Sequence, residues 1–277
     1  MKKFILMGLI ALISVSTLFA NGNMEQENMT GTDTKTLKPL VVAMELAYPP
    51  FETKDDSGKA MGISPDVARA FAQYLGRDTK IVNTSWDGLI PSLQTNKADM
   101  VISSMTITED RAKVVAFSNP YANSNLAILT NKGSDIKTIE DLNQAGKKIA
   151  VKTGSTGFIY ASKNLTKAKS IVLADESACV TEVAQGKADG FIYDQLTIYR
   201  NWMKNQDTTA AVFIPFQNPE KWGAAFNKDN TALRDQFNTF LAQFQKDGGF
   251  DDLSEKYLAD EKAHFDELGF VWFFDVK

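Results

Sequence analysis

The chain has 277 residues, a formal charge of −4, 44% hydrophobic and 23% charged residues, which is ordinary globular composition. Its lysines are dispersed rather than clustered, so it carries no basic footprint for nucleic acid. One cysteine, Cys179, excludes an intramolecular disulfide, and with a single histidine, His264, little is left for a metal site; no metal and no cofactor are expected.

Residues 1–20 open with Lys2 and Lys3 and continue in an apolar run from Phe4 to Phe19 that ends at Ala20. This reads as a secretory signal peptide, the run being short against the roughly 20 residues of a spanning helix. Residues 21–38 are polar with hardly any bulky apolar side chain and read as a disordered leader. Leu40-Val-Val-Ala-Met44 is then a short apolar strand, leading into Glu45-Leu-Ala-Tyr-Pro-Pro-Phe-Glu52. The paired prolines forbid a helix interior or central strand, so Tyr48 and Phe51 sit on a stiff loop beyond the strand end. Tyr48 is a candidate ligand wall, whereas Phe51 is expected to cover the core edge. A turn framed by Gly58 and Gly62 precedes a helix over 65–75, with apolar residues at Val67, Ala70, Phe71, Tyr74 and Leu75 and a stop at Gly76.

Lys80–Asn83 is a second strand, and Trp86 stands near the start of a helix carrying Leu89, Ile90 and Leu93. The stretch from Asp99 to Arg111 reads as a buried strand (Val101, Ile102), a hydroxyl-rich loop (Ser103, Ser104, Thr106) and a helix start, with Thr108 as N-cap and Glu109 and Asp110 in the first turn. Arg111 opposes the dipole of that helix, so an anion is the better reason for it; a guanidinium grips a carboxylate in a planar fork. Val114–Phe117 and Ser118–Tyr121 follow.

A second unit begins near Asn125, with strands at 126–129 and 148–152 around a short helix at 139–142. The second strand ends at Lys152 and opens into Thr153-Gly-Ser-Thr-Gly-Phe158 before another helix. Strand, glycine turn and helix start form an anion cradle in which Ser155 and Thr156 stand, and without a Gly-Lys-Ser/Thr ending it suits a short carboxylate better than a triphosphate. Cys179 lies in a helix-like pattern and is expected in the core. Gly186-Lys-Ala-Asp-Gly-Phe-Ile-Tyr-Asp194 then echoes Asn96-Lys-Ala-Asp-Met-Val-Ile-Ser-Ser104: helix end, Lys-Ala-Asp turn, apolar strand, polar residue at the strand's carboxyl end. Asp194 thus holds in the second unit the place of Ser104 in the first, either meeting a ligand ammonium or capping a helix over 195–199. Ile214–Pro219 reads as a proline-rich crossing back to the first unit, Trp222–Asn227 as a strand and 230–244 as an amphipathic helix with Leu233, Phe237, Phe240, Leu241 and Phe244 on one face. Gly248-Gly249 ends that helix, a last short helix is expected over 250–258, and the apolar tail 269–274 is expected as an edge strand or a cover for one lobe.

Taken in order, Tyr48-Pro-Pro-Phe-Glu52, Trp86-Asp-Gly-Leu-Ile-Pro91, Ile102-Ser-Ser-Met-Thr-Ile-Thr-Glu-Asp-Arg111, Phe117-Ser-Asn-Pro-Tyr121, Gly154-Ser-Thr-Gly157 and Tyr193-Asp194 resemble the extracytoplasmic solute-binding proteins of polar amino-acid ABC transporters, family 3. The resemblance runs from Leu40 to about Leu258 and leaves out the tail beyond Ala259. It implies an α/β, two-lobed periplasmic binding protein fold of type II, each lobe a mixed sheet flanked by helices. Residues 39–124 with 219–277 would form lobe I and 125–218 lobe II, joined by two crossing strands near Asn123–Asn125 and Pro215–Pro219. It implies a periplasmic monomer that passes a small amino acid to a permease in the inner membrane. It also places the ligand α-carboxylate on Arg111 with Thr106 and Thr156, the ammonium on Asp194 with Ser104, and the side chain between Tyr48 and Trp86. Glu45 and Lys152 would lie at the far end: Glu45 alone favours a basic side chain, Lys152 alone a carbonyl, and the two paired leave a nearly neutral end suited to an amide. Gly157-Phe158 departs from the family, in which a charged or amide residue often follows the glycine turn. A periplasmic dehydratase for a prephenate-like acid resembles the same binders, and Glu45 or Asp194 would be its general acid. A hydrolase is poorly served, with one histidine and no Gly-x-Ser-x-Gly.

Overall fold

A computed structural model describes residues 37–276. The expected signal peptide (1–20) and all but two residues of the expected leader (21–38) lie outside the described residues. The chain runs β1 (Leu40–Met44), a hairpin β2 (Thr53–Lys54) and β3 (Ala60–Met61), α1 (Ile63–Tyr74), β4 (Thr79–Asn83), α2 (Trp86–Gln94), β5 (Met100–Val101), α3 (Glu109–Val114), β6 (Val115–Phe117) and β7 (Ala122–Ser124). It continues with β8 (Leu126–Asn131), α4 (Ile139–Leu142), β9 (Lys148–Lys152), α5 (Thr156–Asn164), β10 (Lys169–Leu173), α6 (Glu176–Ala184), β11 (Gly190–Asp194), α7 (Gln195–Lys204) and β12 (Thr209–Val212). β13 (Glu220–Trp222), β14 (Ala225–Asn227), α8 (Thr231–Lys246) and α9 (Gly249–Glu267) complete it.

Two five-stranded sheets carry the two lobes, ordered β4-β1-β5-β14-β6 and β10-β9-β11-β8-β12. The first three strands of each are parallel, and the fourth runs antiparallel to both its neighbours. Parallel strands buried on both faces need continuous apolar runs, which is what Leu40–Met44 and Ile149–Val151 supply. The two sequence echoes fall on the third strand of each sheet. Asn96 (φ 55°) and Gly186 (φ 68°) turn the chain in the left-handed region. Asp99 and Asp189 then each accept from a backbone N–H near the start of the neighbouring parallel strand, Val41 of β1 at 2.9 Å and Lys148 of β9 at 2.8 Å. The likeness therefore extends from residue types to hydrogen bonds.

Between the sheets the chain crosses twice, and the crossings pair as β7 with β13. The second crossing strand begins at Glu220 rather than within 215–219, because Pro215 and Pro219 have no N–H to give a ladder. The strand expected over Trp222–Asn227 is broken in two: Gly223 separates β13, which faces β7, from β14, which enters the first sheet. A side chain at Gly223 would meet Ile107 Cδ1 at 2.9 Å.

The core of the first lobe is aromatic. Phe237 of α8 meets Phe71 of α1 edge-on at 5.0 Å and Phe226 of β14 at 5.7 Å, the kind of contact that the 3.6-residue spacing of Leu233, Phe237, Phe240 and Leu241 creates. Phe51 is wholly buried in the same core, and Cys179 is buried in the second lobe. The last helix does not stop at Leu258: Leu258 leaves helical geometry (φ −134°), and the helix resumes to Glu267. What holds the extension is Glu261, buried beside Arg200 of α7 with Nε donating to Oε1 at 2.8 Å, together with Phe265 at 0% exposure. The apolar tail takes the covering role and forms no strand. Trp272, Phe273 and Phe274 are buried, and the Phe273 carbonyl accepts from Asn123 N–H of β7 at 2.6 Å.

Candidate functional site

Parallel strands bring their carboxyl ends to one edge of a sheet, and both sheets present that edge to the same cleft. From lobe I, Glu45 follows β1, Trp86 opens α2 after β4, and Ser103, Ser104 and Thr106 follow β5. From lobe II, Lys152 ends β9, Ser155 and Thr156 begin α5, and Asp194 ends β11. One cavity of about 50 Å³ is lined by Glu45, Tyr48, Trp86, Ser103, Ser104, Thr106, Arg111, Ser155, Thr156 and Asp194 together. Lys152 does not line it but stands directly behind, 98% buried, donating to Glu45 Oε2 and lying 5.7 Å from the Trp86 ring centre.

Arg111 is held from both sides. Thr108 caps α3 by accepting the Arg111 N–H at 3.2 Å, fixing the backbone that presents the guanidinium. Nη1 donates to the Thr106 carbonyl at 2.7 Å and Nη2 to the Gly154 carbonyl of the opposite lobe at 3.0 Å. The guanidinium also lies 5.2 Å from the Trp86 ring centre, a cation–π contact. Burial pulls its pKa down from the ordinary arginine value, against the attraction of Glu220. A guanidinium has five N–H groups, and two of them go to these carbonyls.

Asp194 caps α7: Oδ1 accepts from Leu196 N–H and Thr197 N–H at 3.0 Å each, and from the Tyr48 hydroxyl of lobe I at 2.7 Å. Capping and facing the cleft are thus done by one carboxylate. Burial raises its pKa and these donors oppose the rise. Ser155 caps α5, accepting from Phe158 N–H at 3.1 Å. Gly157 is needed behind it, since a Cβ there would stand 2.2 Å from the Ile192 carbonyl oxygen of β11.

The floor contains a group that the sequence reading quoted in a motif without giving it a role. Glu52 is 1% exposed and accepts from Ser64 Oγ at 2.6 Å, Ser104 Oγ at 3.1 Å and Ser103 Oγ at 3.4 Å. Burial lifts its pKa to about 8 in spite of those three hydroxyls. Ser104 adopts a left-handed backbone (φ 48°), rare for a residue with a side chain and of a kind that collects at functional sites. Glu176 sits beyond Lys152, its Oε2 at 3.8 Å from Nζ, and burial brings its pKa to about 7. Glu220, Tyr193, Trp222, Ser124 and Leu126 also line the cavity and were not singled out by sequence. Tyr193 had a signal, since it precedes Asp194 in a quoted motif. Glu220 had none beyond its nearness to the proline-rich crossing.

Residues 40–260 match the model of the bacterial extracellular solute-binding proteins, family 3. The L-cystine-binding protein TcyJ of Escherichia coli (strain K12) is 32% identical over 252 residues, covering 90% of this chain and 91% of that protein. An ancestral arginine-binding protein bound to arginine superimposes with a TM-score of 0.74 at 36% identity, covering 79% of this chain and 98% of that one. An ancestral amino acid-binding protein described as a precursor of cyclohexadienyl dehydratase gives a TM-score of 0.72 at 37% identity, covering 79% and 94%.

Proposed function

For this chain, which belongs to the bacterial extracellular solute-binding proteins of family 3, we propose that the cleft binds a polar or basic L-amino acid, of the glutamine, lysine, arginine or histidine type, and delivers it to the permease of an ABC transporter in the inner membrane. The observation that carries this reading is the meeting of Arg111 from one lobe and Asp194 from the other on one cavity rich in hydroxyls. A zwitterion is the ligand that such a pair fits, because each end engages a different lobe. The α-carboxylate goes to the remaining N–H groups of Arg111, with Thr106 and Thr156 assisting. The α-ammonium goes to Asp194 with Ser104. The hydrogen bonds from the Tyr48 hydroxyl and from the Leu196 and Thr197 N–H groups fall on Oδ1, so the ammonium is assigned to Oδ2. Tyr48 and Trp86 flank the side chain, and its end meets the Glu45–Lys152 pair.

A ligand shifts the lobes towards closure only through a difference in affinity between the open and closed arrangements. Arg111 and Asp194 supply that difference, since the charges on both sides are reached at once only when the lobes are together. The working form is a monomer in the periplasm, with residues 39–124 and 219–277 moving as one lobe and 125–218 as the other. No catalytic step is assigned. The rival is a dehydratase acting on a prephenate-like acid, to which the likeness to a dehydratase precursor lends weight. A thermal-shift screen against the common amino acids tests the binding reading: a ligand at a hundred times its Kd adds about 2.7 kcal/mol to stability. Incubation of the same protein with prephenate, followed by the appearance of an aromatic product, tests the rival. Turnover there, with no shift from any amino acid, overturns the proposal.

A further inference from the structure

One charged side chain of the cleft comes from a crossing strand. Glu220 stands on β13, the second of the two crossing strands, just after Pro219. Its Oε2 accepts from Thr106 Oγ1 of lobe I at 2.8 Å and from Thr156 Oγ1 of lobe II at 2.9 Å, and its Oε1 accepts from Gln217 Nε2 at 2.9 Å. Burial raises its pKa, and these three donors together with the cation of Arg111 oppose the rise. Thr106, Thr156 and Arg111 are the three groups proposed above to hold the ligand carboxylate. A carboxyl of the protein itself therefore already occupies the two threonine hydroxyls of that seat and lies in the field of its arginine, whose N–H groups go to the Thr106 and Gly154 carbonyls instead.

We infer that Glu220 is a specificity-determining residue of the cleft: its carboxylate competes with the ligand's carboxylate for Thr106, Thr156 and Arg111, and must leave that seat for an α-amino acid to bind fully. This rests on the proposed placement of the ligand carboxylate. A route out exists, because Glu220, Thr106 and Thr156 also line the adjoining surface groove with Lys163 and Asn218. A ligand with a neutral group in place of the carboxylate has no claim on the seat strong enough to displace a charged occupant held by two hydroxyls. Glu220 thus narrows the preference of the cleft for free acids over their amides.

The test measures by calorimetry the affinity of wild type, Glu220→Gln, Glu220→Ala and Arg111→Ala for arginine, lysine, histidine and glutamine, each beside its α-carboxamide. Both Glu220 variants are expected to bind the free acids about tenfold more tightly while the carboxamides change little, so the acid-to-amide ratio of affinities widens. An unchanged ratio, or equal weakening of acids and amides, overturns the inference. Arg111→Ala separates its failure from that of the functional reading. If Arg111→Ala abolishes binding of the acids and the ratio stays constant in the Glu220 variants, only the role of Glu220 falls. If no acid is bound by any of the proteins, or Arg111→Ala binds the acids as wild type does, the carboxylate seat itself is wrong and both fall.

Discussion

Glu52 gives the cleft a signature that can be read without knowing the ligand. Its carboxyl is buried and holds its proton up to a pH of about 8, whereas an unfolded glutamate releases it near 4.5. An acid whose proton is held more tightly in the folded chain lends its full support below the unfolded value, and that support is lost as pH rises towards the folded one. Between about pH 4.5 and 8 the folded chain carries one more proton at this site than the unfolded chain, so unfolding free energy falls by about 1.4 kcal/mol per pH unit from this group alone. Across the whole window the loss approaches 5 kcal/mol, a large part of the 5–15 kcal/mol typical of a folded protein. Glu52→Gln keeps an acceptor for Ser64, Ser103 and Ser104 and removes the ionisation. Urea unfolding of both proteins at a series of pH values isolates the contribution as a difference, in which Glu176 and the other acids cancel. The variant is expected to lose stability less steeply than wild type over this range and to be the more stable protein at pH 8. Parallel curves would refute the burial argument.

Other consequences follow from single positions. Gly157→Ala places a methyl against the Ile192 carbonyl; a destabilisation of at least about 2 kcal/mol is expected in denaturant melts, with weaker ligand binding because Thr156 begins the helix that must shift. Phe237→Ala opens a hole between α1, α8 and β14 and should cost about 3–5 kcal/mol, measured at equilibrium, while the ligand preference of the folded fraction stays the same. Burial pushes the Cys179 thiol up to about 12, so a thiol reagent at pH 8 should not label the native protein and should label one site per chain in denaturant; rapid labelling of the native protein would contradict its place in the core.

Much of this architecture is legible because its signals are local. Val42–Met44 and Ile149–Val151 are buried stretches of strand whose composition says so, and the stripe on α8 has helical spacing. The paired echoes announce two lobes of like build, since Asn96 and Gly186, and Asp99 and Asp189, do the same work in both. Glu45, Ser103, Ser104, Thr106, Arg111, Ser155, Thr156 and Asp194 are legible for the same reason: they stand at strand ends and helix starts, where a doubly wound sheet leaves its side chains exposed to a cleft. What is hidden depends on partners distant in sequence. Glu261 lies beyond the helix expected over 250–258, and its part in extending that helix depends on Arg200, far back in the chain. Glu52 reads as a loop acid until Ser64, Ser103 and Ser104 close around it. Glu220 follows a proline on a crossing segment, and nothing near it in sequence tells that threonines from both lobes converge there. The short strands β10 and β12 are weak in pattern and are made by pairing with β9 and β8.

The central claim is that a zwitterion bridges Arg111 and Asp194, and calorimetry tests it most directly. The best ligand of the screen and its deaminated analogue are titrated into wild type, Arg111→Ala and Asp194→Asn. Arg111→Ala is expected to weaken both by about 3 kcal/mol, on the order of a hundredfold in Kd, because both carry the carboxylate. Asp194→Asn is expected to weaken the amino acid far more than the analogue that has no ammonium. Unchanged affinity in Arg111→Ala, or equal losses for the two ligands in Asp194→Asn, would contradict the account.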